Sequence, residues 1–169
     1  VYKRNDATWA QEAYIKSINN DGGDHFGIGV SLDQDTLAVT ASYEDSNQST
    51  ITNGATASTD NSIPASGAVY VYKRTGSTWA QEAYIKAANP DDSDWFGERS
   101  LSLDEDTLAV GALFEDSNQT TITNGTTAST DNSASRAGAV YVYKRSGSNW
   151  AQEAYIKAAN SETYDSFGQ

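Results

Sequence analysis

One block of sequence is written nearly three times along this chain, and its spacing leaves few architectures open. Tyr-Lys-Arg begins at Tyr2, Tyr72 and Tyr143; Trp-Ala-Gln-Glu-Ala-Tyr-Ile-Lys begins at Trp9, Trp79 and Trp150; Phe-Gly begins at Phe26, Phe96 and Phe167. All three sets keep offsets of 70 and then 71 residues. A period of this length, with every element in register, marks a solenoid, a propeller or a linear array. It divides the chain into units at 1–68, 69–139 and a partial unit at 140–169. It also argues against catalysis, because a reaction centre is asymmetric and a repeat is not.

Within the second unit the residues read as strands. Val69-Tyr70-Val71-Tyr72 alternates β-branched and aromatic residues with period two. Thr75-Gly76-Ser77 is a turn signal. Trp79 to Ala87 contains good helix formers, but strands crowd it on both sides. Trp79, Gln81, Ala83 and Ile85 alternate there with Glu82, Tyr84 and Lys86, so a second strand is expected. Phe96-Gly97 opens a third strand with Leu101 and Leu103 on one face, and Thr107 to Ala112 is a fourth. A long Ser/Thr/Asn/Asp-rich connection follows, at 44–66 and 115–137. Uninterrupted loops of that length are uncommon in compact domains, and Thr-Ile-Thr-Asn-Gly at Thr50 and Thr121 is expected to fold into a small hairpin. Four antiparallel strands per unit describe a propeller blade. The fold expected is all-β, with about 2.4 blades in this chain. Closure of a ring then calls for a longer polypeptide or for several copies, and an open filament of stacked blades is the third arrangement. The strand pattern interrupted at Val1 and the absence of any Met suggest a piece of a longer chain.

Charge narrows the function. The formal net charge is −12, and nine of the eleven basic residues sit at repeat positions, with only Arg99 and Arg136 outside them. No basic patch is left for a phosphate backbone, so nucleic acid is not an expected partner. No apolar run reaches the ~18 residues of a spanning helix, so no membrane insertion is expected. There is no Cys and one His, His25, whose repeat equivalents are Trp95 and Ser166. The usual nucleophile–base pairs are absent, and the segment is read as non-enzymatic.

A Phe-Gly opening one strand, a short hairpin, and a hydrophobic strand ending in Gly-Ala resemble the FG-GAP repeat. The version here, with Gly-Ala-Val-Tyr-Val-Tyr-Lys-Arg, Trp-Ala-Gln-Glu-Ala-Tyr-Ile-Lys, Asp-x-Phe-Gly and Thr-Leu-Ala-Val, is closest to the bacterial secreted type. The resemblance covers the whole chain and implies the blades of an integrin-α-like propeller, working outside the cell or on its surface. Two features depart from the family pattern. The tripeptide that names it is Gly111-Ala112-Leu113 in one repeat and Thr40-Ala41-Ser42 in the other. The family's calcium loop between the third and fourth strands is reduced to Asp33-Gln34-Asp35 and Asp104-Glu105-Asp106, too short to wrap a cation with ~6–8 oxygen ligands.

A different acidic cluster is expected at the blade end. Antiparallel pairing of the third and fourth strands brings Asp24 to Glu44 and Asp45, and Asp94 to Glu115 and Asp116. Two readings stand side by side: a calcium site, or turn-capping aspartates beside a solvated Glu-Asp pair. Tyr70, Tyr72, Trp79 and Tyr84 read either as inter-blade core or as a sugar-stacking face. The Lys-Arg pairs read as strand-end charges that pair with acidic residues of a neighbouring blade. Asn47, Asn118 and Asn124 stand in N-x-S/T sequons and are glycosylation candidates. The functional expectation is an extracellular or cell-surface scaffold for adhesion, self-assembly or ligand recognition through its long loops. Its partner would be a protein, a glycan or further copies of itself. The alternatives are a lectin-like module and an accessory domain of a larger secreted enzyme.

Overall fold

A computed structural model describes residues 1–169 and contains strands and no helix. The strands are β1 (Tyr2–Asn5), β2 (Thr8–Gln11), β3 (Val30–Asp33), β4 (Thr36–Ala41), β5 (Thr52–Asn53), β6 (Ala68–Thr75), β7 (Thr78–Ile85), β8 (Phe96–Asp104), β9 (Thr107–Ala112), β10 (Ile122–Asn124), β11 (Ala139–Ser146) and β12 (Asn149–Ile156). They form a two-stranded ribbon, β1-β2, and two antiparallel five-stranded sheets ordered β3-β4-β6-β7-β5 and β8-β9-β11-β12-β10.

Each sheet takes its inner hairpin from one sequence unit and its outer hairpin from the next. The sheets are therefore out of phase with the units 1–68, 69–139 and 140–169. The long connection lies inside a sheet, between β4 and β6 or between β9 and β11. Burial gives the reason. Thr36–Ala41 is buried at every position and so is Ala68–Tyr72, so these two strands pair at the sheet centre, with Leu37 opposite Tyr72 and Val39 opposite Tyr70.

The expected hairpin at Thr-Ile-Thr-Asn-Gly does not form. Thr52–Asn53 instead pairs with the edge strand β7, Thr52 opposite Tyr84, and Ile122–Asn124 pairs with β12. Covering an outer edge satisfies backbone groups that a free hairpin would leave open. The Trp-Ala-Gln-Glu-Ala-Tyr-Ile segment is a strand at β7 and β12, as its spacing predicts. Its alternation breaks at one point. Val71 pairs with Ala83 and Tyr72 with Gln81, so Glu82 is an extra, bulged residue. A bulge shifts the parity of the strand by one. Trp79 therefore joins Tyr70, Tyr72 and Tyr84 on one face, while Ala83 and Ile85 occupy the other.

The two sheets meet face to face. One core contains Ala38, Val69, Val71, Ala83 and Ile85 from the first sheet with Phe96, Leu108, Val110, Tyr141, Tyr143 and Trp150 from the second. The other side of the first sheet carries Leu37, Val39, Tyr70, Tyr72 and Tyr84, packed by Val1, Ile15 and Phe26. The joint is also keyed by polar contacts. The Leu103 N–H donates to Ser31 Oγ at 3.0 Å and the Glu105 N–H to Asp33 Oδ2 at 2.8 Å. Asn53 grips the backbone of Trp150 with both ends of its amide, at 2.8 and 3.2 Å. Close approach at the joint demands glycine at Gly67. Its φ is +82°, and a Cβ there would lie 2.7 Å from the Phe96 nitrogen.

Candidate functional site

The residues singled out at the blade end do come together there, in two nearly superimposable nodes. After β4 the chain turns so that Glu44 points inward. Its carboxylate accepts hydrogen bonds from Lys86 Nζ (2.8 Å), Tyr84 OH (2.7 Å), Asn19 Nδ2 (3.2 Å) and the Ser46 N–H (3.2 Å). After β9, Glu115 accepts from Lys157 Nζ (2.7 Å), Tyr155 OH (2.7 Å), Asn89 Nδ2 (3.1 Å) and the Ser117 N–H (3.2 Å). Both glutamates and both lysines are buried. Burial pulls Lys86 below the ordinary lysine value, against the opposing pull of Glu44. Burial raises Tyr84, and the charge of Glu44 raises it further.

These contacts give the nodes a structural task. Asn19 accepts from Tyr70 OH and donates to the Ser58 carbonyl; Asn89 does the same with Tyr141 and Ser129. Each node thus pins a long connection to the floor of its sheet.

The aspartates are engaged separately. Asp24 and Asp94 accept the N–H of Asp21 and Asp91, three residues earlier, at 3.3 and 3.0 Å. Asp45 accepts the Ala65 N–H at 2.7 Å and Asp116 the Arg136 N–H at 2.6 Å. This is turn capping. The glutamates are not solvated, as one reading supposed; they are buried and paired with lysine. No three acidic or imidazole side chains are arranged to hold a metal ion. Asp94 is the most perturbed of the group. Burial first, then the neighbouring Glu115, Asp91 and Asp116, push it up to about 8, against the Asp91 N–H that favours its charged form. Asp24 is raised for the same reasons.

Other expectations resolve as follows. Tyr70, Tyr72 and Tyr84 are buried with Trp79 against them, so this set is core. The arginines of the Lys-Arg pairs reach carboxylates in their own sheet and across a joint. Arg74 meets Asp35 and Glu12, and Arg145 meets Asp106 and Glu82. The bulged Glu82 also accepts Trp150 Nε1 at 2.9 Å, just as Glu12 accepts Trp79 Nε1. Asn47, Asn118 and Asn124 are solvent-exposed.

Sequence reasoning missed the most prominent surface feature at this end. His25 stacks on Tyr43 with ring centres 4.4 Å apart, Tyr43 on Trp95 at 5.4 Å, and Trp95 on Phe114 at 4.5 Å. The Arg136 guanidinium then lies 4.4 Å over Phe114 and 5.9 Å from Tyr164. Six side chains from three repeats form one continuous ladder across both sheets, and each is half-buried or exposed. Several of its anchors hold positive φ, namely His25, Trp95, Arg136 and Tyr164. That backbone is what turns these side chains outward from capped turns.

A family model for the FG-GAP repeat matches residues 9–56 and 79–143. The chain belongs to the FG-GAP repeat family. No curated protein and no solved structure matches it. Within this FG-GAP chain the two eponymous motifs meet each other across a joint. Gly97 of the second Phe-Gly presses on Thr40 of the preceding sheet, where a Cβ would come within 2.7 Å of Thr40 Cγ2. At the next joint the Gly168 carbonyl lies against Gly111, where a Cβ would collide with it. Thr40 and Gly111 open the two departures from the family tripeptide, and both are buried there. The ladder runs along the same end of the FG-GAP sheets as the Phe-Gly turns.

Proposed function

We propose that this FG-GAP chain is a non-enzymatic scaffold, working outside the cell or on its surface, that recognises a protein or glycan through the blade-end face bearing the ladder. The ladder itself carries the reading. Trp, Tyr, Phe and Arg are the residues enriched at recognition surfaces, and here they are held rigid by stacking and capped turns before any ligand arrives. Preorganisation of this kind lowers the entropic cost of binding.

The internal repeats add support. Tyr43 and Phe114 are repeat equivalents and both aromatic, whereas the other four ladder residues stand at positions that change character between units. His25 corresponds to Trp95 and Ser166, Ala65 to Arg136, and Gly23 to Ser93 and Tyr164. Core packing places little constraint on these sites, which leaves them free for recognition. The long Ser/Thr/Asn-rich connections, pinned by the Glu-Lys nodes, frame the same face. The chain's one histidine is spent on stacking against Tyr43, which suits binding rather than proton transfer.

The test uses beads coated with the parent protein or with a Trp95→Ala/Arg136→Ala variant, applied to cell surfaces and to a glycan array. Parent beads should adhere and variant beads should not, while both proteins keep the same melting temperature. Glycan hits would make the module lectin-like. Equal adhesion by the two proteins would remove the ladder from the function.

A further inference from the structure

We infer that the cleft between the two five-stranded sheets, beside Ile51 and Trp150, is a binding site for a neutral, hydroxyl-rich ring of the monosaccharide class. The site is distinct from the aromatic ladder and does not depend on its role.

The cleft encloses about 300 Å³, at the lower end of the range for small-molecule sites. All of its walls lie within residues 49–152, in the two five-stranded sheets and the connections that cover their edges. Ile51, Ala88, Tyr143 and Trp150 supply an apolar floor. Of these, Tyr143 and Trp150 are covered core residues, and Ile51 packs against that core from the first long connection. Ser49, Thr50, Thr126 and Gln152 bring hydroxyl and amide groups to the same cleft.

The groups left unpaired define the ligand. Gln152 is only 7% exposed. Its Nε2 donates to the Gly125 and Thr127 carbonyls at 3.1 and 2.9 Å. Two carbonyl acceptors require the nitrogen end of the amide, so its orientation is fixed. Its Oε1 accepts nothing from the protein, and a covered amide oxygen calls for a donor. The hydroxyls of Ser49, Thr50 and Thr126 bond no other protein group and belong to exposed residues. The remaining polar groups are already engaged. The Lys86 ammonium bonds Glu44 and Ser66, Asn53 grips the Trp150 backbone, Trp150 Nε1 bonds Glu82, and Tyr143 OH bonds the Lys86 carbonyl. No free charge faces the cleft, so an ionic ligand has no counter-charge there. The fitting ligand donates to Gln152 Oε1, exchanges hydrogen bonds with the three hydroxyls, and lays C–H groups on Ile51 and Ala88. A sugar ring carries both kinds of surface. Once seated, it bridges the first long connection to the second sheet.

The probes are D-glucose, D-galactose, D-mannose and N-acetyl-D-glucosamine, each titrated through the millimolar range into the isotope-labelled 169-residue protein and followed by amide NMR. At least one sugar should shift the Thr50, Ala88 and Gln152 amides and the Trp150 indole saturably. Ala88→Phe fills the floor from a partly exposed position and should abolish these shifts. Thr50→Val keeps the shape of an exposed residue, removes one hydroxyl, and should weaken binding roughly two- to tenfold, the scale of one neutral hydrogen bond. The Trp95→Ala/Arg136→Ala protein should bind the sugar as the parent does, which separates this site from the ladder. Three results would overturn the inference: no saturable shift with any of the four sugars, shifts that gather on Tyr43 and Trp95 instead, or unchanged binding by both Ala88→Phe and Thr50→Val.

Discussion

The first and last copies of the Tyr-Lys-Arg hairpin share their motif residues and little of their environment. In the β1-β2 ribbon Tyr2 is 64% exposed and Trp9 is 65% exposed; in β11-β12 Tyr143 is fully covered and Trp150 is 2% exposed. The strand motifs are identical, and only the turn between them changes, from Asn5-Asp6-Ala7-Thr8 to Ser146-Gly147-Ser148-Asn149, which does not set burial. What differs is the neighbour. β11 has β9 on its inner edge and the first sheet against its face, while β1 has β2 alone. Burial in a repeat protein is thus a property of the joint, and each joint contributes stability that the repeat alone lacks.

The largest test of that contrast is truncation of the two tryptophans. Trp150→Ala should cost about 3–5 kcal/mol in urea unfolding, and Trp9→Ala no more than about 0.5 kcal/mol. Similar losses would break the comparison. The two buried nodes sharpen it. Glu115→Gln strands the Lys157 ammonium without a counter-charge and should cost about 3–5 kcal/mol. Glu44→Gln should be milder by roughly 1 kcal/mol, because Lys86 also donates to Ser66 Oγ at 2.8 Å, where the second node has Ala137. Urea unfolding of the two variants side by side measures that difference.

Per pH unit, a smaller effect is expected from Asp94. Its folded value of about 8 lies above its ordinary 3.8, so between these limits the folded state holds a proton that the unfolded state has released. Stability therefore falls as pH rises through that window, on the order of 1 kcal/mol per pH unit at most. Asp94→Asn should flatten this slope, as read from urea midpoints at a series of pH values. A slope of opposite sign would contradict the burial of Asp94. The smallest effect concerns calcium. With Glu44 and Glu115 paired to lysine and the aspartates capping turns, millimolar calcium should leave the melting temperature unchanged. A clear rise, lost in Asp94→Ala and Glu115→Ala, would reopen the cation reading.

Much of the fold was legible from residue patterns. Thr-Leu-Ala-Val reads as a hydrophobic strand because its last three residues are apolar and a turn signal precedes it, and Trp79 to Ile85 reads as a strand because no room remains for a helix. The bulge at Glu82 was not legible. The same bulge recurs at Glu153, each bulged carbonyl accepting a glycine N–H from the long connection, Gly54 at 2.6 Å and Gly125 at 2.7 Å, and no local pattern announces it. The Asn-Gly at Asn53 misled for a related reason: a turn signal competes with an open sheet edge, and here the edge prevailed. At the blade end, spacing correctly brought Asp24 beside Glu44 and Asp94 beside Glu115. It could not show that Lys86 and Lys157 fold inward to meet them, because lysine is ordinarily a surface residue. The ladder left one signal in the sequence: His25, Ala65 and Gly23 vary between repeats that otherwise hardly change.

Periodicity alone establishes that this chain is built of β-modules with oily faces, since alternation of side chains and recurrence of turns are local properties. Which strands share a sheet, which tryptophan is covered and which carboxylate meets a lysine were settled by packing between modules. Those outcomes depend on contacts between residues about thirty to a hundred positions apart, whose free energy is realised only once the sheets have closed on one another.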